Sequence, residues 1–239
     1  MKKILITNDD GIMAKGIIRL AEAAKEFGEV WIVAPETQRS ATSHSITLRH
    51  HIDVYPHDFP VDGVRAFSCS GTPADCVRVG SLNVMPYKPD VLLSGINFGY
   101  NVATDIQYSA TAGAAFEGSF QGLHSIALSE GISGIHEVTD AYLKELLGEA
   151  IDMKLGYGEI VNINFPDCPL SECKGIIRDT AVSVNSFYTD RYKVIEELDN
   201  GGKRYMVDGI HRRVHEQGTD YGAVLDNYIS FGTVNNIGT

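Results

Sequence analysis

Lys3-Ile4-Leu5-Ile6-Thr7, running directly into Asn8-Asp9-Asp10-Gly11, is the stretch on which the reading of this chain turns. A short unbroken apolar run suits a strand buried on both faces, the usual state of strands in a parallel sheet. In open sheets of that kind, ligands bind in the crevice beyond the carboxyl ends of the strands. Two adjacent carboxylates at such an edge repel each other unless positive charge joins them. A hard divalent cation held by oxygen ligands supplies that charge. An ordinary acidic turn closing a strand is the competing reading, since Asn, Asp and Gly are all turn formers.

Outward from this stretch, strand and helix signals alternate. Ile17 to Phe27 has apolar residues at helical spacing and is ended by Gly28. Val30 to Ala34 predicts a second buried strand, followed by the polar loop Pro35 to Ser45 with Arg39, Ser40 and His44. Ile46 to Tyr55 and Arg65 to Cys69 alternate weakly, as peripheral strands do. Thr72-Pro73-Ala74-Asp75 is a helix start, with a Thr cap, Pro at the first helical position and an acid in the first turn. Val91 to Ser94 is another buried strand, ending in Gly95-Ile96-Asn97. A small-residue helix over Ser109 to Gly122, a strand over Ile126 to Ser129, a helix over Val138 to Leu155 and a strand over Ile160 to Phe165 complete the series. From Lys174 the pattern changes to longer β-like stretches, Ile176 to Tyr188 and Tyr192 to Leu198, with a Gly201-Gly202 turn. The expected architecture is an α/β, doubly wound, mainly parallel core over residues 1–173 with a hairpin-rich β-extension over 174–239.

Bulk composition narrows the function classes. The chain has 239 residues and 44% hydrophobic content, enough for one globular α/β domain with an extension. With 31 acidic against 20 basic residues the formal charge is -11, which argues against stable nucleic-acid binding. Phosphate substrates remain open if a cation supplies local positive charge. No apolar stretch is long enough to span a bilayer, and the chain reads as soluble, cytoplasmic and without membrane partners. Cys69, Cys76, Cys168 and Cys173 form no C-x-x-C pair and are expected as reduced, mostly buried thiols. His211 and His215 have the spacing of a shared helix face, but the flanking Arg212, Arg213 and Glu216 favour a solvated charged surface.

Three loops at the carboxyl ends of three expected core strands contribute Asp9 and Asp10, then Ser40, then Asn97. Right-handed crossovers place such loops along one sheet edge. All four are oxygen donors, a set that suits Mg²⁺, Mn²⁺ or Ca²⁺ and lacks the His or Cys that favour zinc. A fourth loop brings Ser109-Ala110-Thr111-Ala112-Gly113 to a helix start, where hydroxyls and free N–H groups form an anion site. Simple capping by Ser109, with close packing of the small residues, is the alternative for that loop. A cation beside an anion hole is what phosphate-ester hydrolysis needs.

Several blocks, in order, resemble the SurE (survival protein E) family. They are Ile4 to Gly11, Val33-Ala34-Pro35 with Arg39-Ser40, Gly71 to Val77, Ser94 to Asn101 and Tyr108 to Gly118. The likeness runs from Lys3 through Phe165 and returns at Thr219-Asp220-Tyr221-Gly222-Ala223. Ala110 stands where the family usually has Gly, and Ser230 to Val234 replaces its usual chain end. The resemblance implies a Rossmann-like core and an extension that assembles dimers or tetramers before its last segment returns to the core. It implies a metal-dependent phosphatase acting on nucleoside 5′- and 3′-monophosphates, with polyphosphate as a further substrate. One Mg²⁺ or Mn²⁺ would be held by Asp9, Asp10, Ser40 and Asn97. Asp9 is the candidate general base, Asn101 a second catalytic candidate, and Asn8, Ser109 and Thr111 the candidate substrate-binding residues.

Two other classes place acids after a first strand. A phosphoacceptor receiver needs an Asp after its third strand and a Lys after a late one, where this chain has Gly95-Ile96-Asn97 and Glu130. Its usual length is also only about half of this one. Haloacid-dehalogenase phosphatases need an Asp-x-Asp nucleophile, and here the aspartates are adjacent.

Overall fold

The computed structural model describes residues 1–237, so the last two positions of the expected 174–239 extension lie outside it. In chain order the elements are β1 (Lys2–Thr7), α1 (Lys15–Ala24), β2 (Gly28–Pro35), β3 (Val54–His57), β4 (Arg65–Cys69) and α2 (Pro73–Val79). There follow β5 (Val91–Phe98), α3 (Ala110–Phe120), β6 (His124–Glu130), α4 (Glu137–Ile151) and β7 (Glu159–Phe165). The C-terminal third adds β8 (Ile176–Arg178), β9 (Tyr188–Thr189), β10 (Tyr192–Glu197), β11 (Lys203–Val207), β12 (Ile210–His211), α5 (Asp220–Leu225) and β13 (Ile229–Asn235).

Nine strands form one sheet in the order β3-β4-β2-β1-β5-β6-β7-β13-β8. The six from β4 to β7 run parallel, while β3 and β13 pair antiparallel with β4 and β7. Helices α1 and α4 cover one face, packing Ile17, Leu20, Leu143 and Leu146 on Ile4, Ile6, Ile32 and Leu93. The opposite face meets α2 through Cys76 and Val77, packed with Leu5, Val33 and Leu92. Coverage on both faces is why β1, β2 and β5 carry unbroken apolar runs over Ile4–Ile6, Val30–Ala34 and Val91–Leu93. The fold is therefore α/β with a largely parallel sheet and extra hairpins toward the C-terminus.

Several expected elements are shorter than the sequence pattern indicates. α1 stops at Ala24 and α4 at Ile151. Residues 46–53 form no strand, because Thr47 donates from both its N–H and its hydroxyl to the Asp75 carboxylate, at 2.9 and 2.7 Å. Residues 179–187 leave the sheet as well, since Ser183 N–H donates to Asp220 Oδ1 at 2.9 Å. His211 lies in β12 and not on a helix. The four cysteines are unpaired. No helix among the described residues is long and apolar enough to cross a membrane.

Candidate metal and phosphate site

β1 sits where the strand order reverses, with β2 and β4 to one side and β5, β6 and β7 to the other. A doubly wound sheet leaves its crevice at that switch point, beyond the carboxyl ends of β1 and β5. The turn after β1 is fixed from within, as fully buried Asn8 donates from Nδ2 to the Gly11 carbonyl at 2.9 Å. It is stitched to the loop after β2, since Arg39 N–H donates to the Asp9 carbonyl at 2.7 Å and Ile12 N–H to the Pro35 carbonyl at 2.9 Å.

The third strand end arrives through an irregularity. The β5–β6 register shifts between Ser94 and Asn97, a local kink that re-aims the strand's last side chains. Gly95 makes this possible, because at its φ of +141° a Cβ would lie 2.3 Å from the Leu128 carbonyl oxygen. Phe98 N–H then donates to Asp10 Oδ2 at 3.0 Å, and Asn97 Nδ2 donates to the Gly99 carbonyl at 2.8 Å. Tying down that nitrogen leaves Asn97 Oδ1 as its acceptor. Gln38 Nε2 lies 3.0 Å from Ser40 Oγ and 3.5 Å from Asp10 Oδ1, so the loop after β2 brings its hydroxyl to the same place.

Asp9 is buried and accepts a 2.7 Å hydrogen bond on Oδ1 from the Thr111 hydroxyl. Burial pushes its pKa up to about 6, opposed by the Thr111 bond and reinforced by Asp10. Burial also raises Asp10, against the Phe98 N–H and with the help of Glu130. Among the described residues neither carboxylate is ion-paired with Lys, Arg or His. No cluster of three or more His, Cys, Asp or Glu is placed to hold a metal among those residues either. The fit to a cation therefore rests on two ionisable and two neutral oxygen donors. That set suits a hard divalent ion, whose charge would offset the repulsion between the two carboxylates.

The expected anion side is the N-terminus of α3. Ser109 caps it, its Oγ accepting from Ala112 N–H at 3.0 Å, and Ala110 is the helix's first residue. The Ser40 loop docks on this helix because Gly113 has no side chain; a Cβ there would lie 2.7 Å from the Ser43 carbonyl oxygen. Ser43 hydroxyl donates to the Gln107 carbonyl at 2.8 Å, and His44 Nε2 lies 2.9 Å from Glu117 Oε2. Arg78 Nη1 donates to Glu117 Oε1 at 3.0 Å. Burial pushes Glu117 up, but His44, Gln121 and Arg78 outweigh it and hold the carboxyl below its ordinary range.

Asp9, Ser40, Asn97, Asn101 and Ser109 line one cavity of about 410 Å³. Half-buried Asp10, which follows Asp9, is not on the cavity wall, and neither are the fully buried Asn8 and Thr111. Asn101 is held by the core: its Nδ2 donates to Ser129 Oγ at 2.8 Å, and its carbonyl accepts from Asn162 and Asn164 at 2.9 and 3.1 Å. The alternating asparagines of β7 thus serve this anchor. Sequence reasoning missed Asp105, Tyr188 and Asp190 on the same wall. Burial, aided by Asp190, raises Asp105 to about 6. Glu117, the lone charge in a helix of small residues, is not on this wall and pairs with His44 and Arg78.

The family model described as Survival protein SurE matches residues 4–189. A 5′-nucleotidase SurE from Alkaliphilus metalliredigens is 37% identical over 235 residues, covering 95% of this chain and 90% of the relative. A 5′-nucleotidase SurE from Caldanaerobacter subterraneus subsp. tengcongensis is 39% identical over 234 residues, covering 95% and 89%. The crystal structure of the SurE protein from Aquifex aeolicus superposes with a TM-score of 0.82 at 32% identity, covering 99% of this chain and 94% of that one. On its sequence blocks and its fold alike, this chain belongs to the SurE family.

Proposed function

We propose that the chain is a 5′-nucleotidase that hydrolyses nucleoside monophosphates with one divalent ion, Mg²⁺ or Mn²⁺, held by Asp9, Asp10, Ser40 and Asn97. The observation that carries this reading is the pair of carboxylates, raised in pKa and without an ion-paired cation among the described residues, beside a capped helix N-terminus. When bound, the ion supplies positive charge to the phosphoryl group and lowers the pKa of an attacking water. Asp9, beside that water, is the residue assigned as the base. Thr111 keeps that carboxylate in one orientation. Ser109 and the first N–H groups of α3 receive phosphoryl oxygens, a role that helix N-termini suit. Asn101 shapes the wall and Asn8 holds the turn. The family resemblance extends the reading to 3′-monophosphates and polyphosphate. Four unpaired thiols suit the reducing cytoplasm.

Direct attack by water leaves the protein unmodified during turnover. Rapid acid quench with radiolabelled substrate is therefore expected to leave no label on the chain. Stoichiometric, base-labile label on Asp9 or Asp10 would overturn the direct mechanism in favour of an aspartyl phosphate.

The same family reading makes the extension an assembly element, giving a dimer or tetramer. Tyr192, Val194, Ile195, Tyr205 and Val207 are all exposed on the two-stranded β10–β11 ribbon. An isolated hairpin is marginal in water, and apolar surface of this kind is normally covered. Truncation from Lys174 would also strip β13 from the main sheet, so excising residues 191–208 behind a short Gly linker is the cleaner deletion. Light scattering should then report a monomer; an unchanged oligomer would contradict assembly through this ribbon.

A further inference from the structure

A second cavity, of about 470 Å³, adjoins the first. Tyr100, Asp105 and Tyr188 stand on the walls of both, so the two cavities are neighbours that meet at these three residues. The second cavity is aromatic, lined by Phe187, Tyr188 and His211 with Arg212 beside them. Tyr188 and His211 are directly opposed across the β9–β12 ribbon, their ring centroids 4.3 Å apart. Phe187 lies 5.1 Å from Tyr188 and 4.9 Å from His211, and is backed at 5.1 Å by buried Tyr221. Tyr100 is fixed at the seam, its hydroxyl donating to Asp167 Oδ1 at 2.8 Å. None of these rings is needed for the chemistry at Asp9.

We infer that this second chamber receives the base of the nucleotide whose phosphate lies at Asp9 and Ser109, with Tyr188 and His211 as the stacking platform. The inference rests on the nucleotidase reading and adds the element that distinguishes a nucleotide from a smaller phosphate ester. Every nucleobase has a π-face, so an aromatic platform recognises the class without choosing among its members. The polar groups suit the same occupant. Arg212 has no ion-pair partner among the described residues and offers donors to the acceptors on a base edge. No donor reaches the Asp105 carboxylate among those residues, so at the seam it remains free to accept from sugar hydroxyls. A small ester such as glycerol phosphate has nothing to place on the platform. Because Phe187, Tyr188, His211 and Arg212 all follow Lys174, the C-terminal third would set substrate choice as well as assembly.

The test compares kcat/KM for 5′-AMP and glycerol phosphate, with saturating Mn²⁺, in the full-length wild type and in Tyr188→Ala, Tyr188→Phe and His211→Ala. Wild type should prefer 5′-AMP. Tyr188→Ala should lower the 5′-AMP to glycerol phosphate ratio about 10- to 100-fold, mainly through KM. Tyr188→Phe, which keeps the ring, should hold the ratio near wild type. Adenosine alone should inhibit glycerol phosphate hydrolysis competitively in wild type and more weakly in His211→Ala. That competition decides the matter even if Tyr188→Ala does not fold. An unchanged ratio in both alanine variants, or no inhibition by adenosine, overturns the inference. A wild type that cleaves the two esters with equal kcat/KM overturns the chamber and leaves the nucleotidase reading standing. A wild type that cleaves neither overturns the nucleotidase reading and the chamber with it.

Discussion

Asp9→Asn is expected to cut phosphate release from 5′-nucleotides by about 10²- to 10⁴-fold and at the same time to stabilise the metal-free protein at pH 7. The two effects share one cause. Burial lifts the Asp9 pKa from 3.8 to about 6, so the fold holds the proton more tightly than the unfolded chain does. A carboxyl raised in this way is neutral in both states at low pH. As pH rises from about 4 through 6 the folded state must ionise a buried group, and stability falls. At 1.36 kcal/mol per pKa unit the penalty at pH 7 is on the order of 2–3 kcal/mol. Asn is neutral at every pH and can still accept from the Thr111 hydroxyl, so it removes the penalty and keeps the contact. For a chain of this size each kcal/mol moves Tm by roughly 2–4 °C. Melting curves of chelator-stripped wild type and Asp9→Asn should coincide near pH 4 and separate toward pH 7, with the variant higher. Divalent metal should reverse that order, because it stabilises only the protein that binds it well. A variant that melts lower than stripped wild type at pH 7 would contradict this picture.

How much of this was legible in the sequence depended on where the hydrogen bonds of each segment go. β1, β2 and β5 announce themselves because strands covered on both faces can be nothing but apolar. Asp9, Asp10, Ser40 and Asn97 follow from them, each lying at or just beyond such a strand end. Residues 46–53 look like a strand by alternation, but their backbone is captured by Asp75, the acid of the α2 capping box, which no periodicity reveals. Thr111 reads as an anion ligand because it lies at a helix start; its hydroxyl instead turns to Asp9, about a hundred residues back in the chain. Asp105, Tyr188 and His211 meet through irregular segments and two-residue strands, where neither period operates.

Removing the metal is expected to have the largest effect of all. With Asp9 and Asp10 adjacent and no Lys, Arg or His ion-paired with either among the described residues, the stripped site carries charge of the wrong sign to receive a phosphate dianion. Asp10→Asn keeps a neutral oxygen in place, so raising the metal concentration should recover part of its activity. Asn97→Ala removes a donor outright and should recover less. The direct measurement is phosphate release from 5′-AMP by exhaustively chelated protein, followed by stepwise return of Mn²⁺, Mg²⁺ or Zn²⁺. Release should fall to background on chelation and return with Mn²⁺ or Mg²⁺ better than with Zn²⁺, whereas full activity in the stripped protein would contradict a metal held by these four residues.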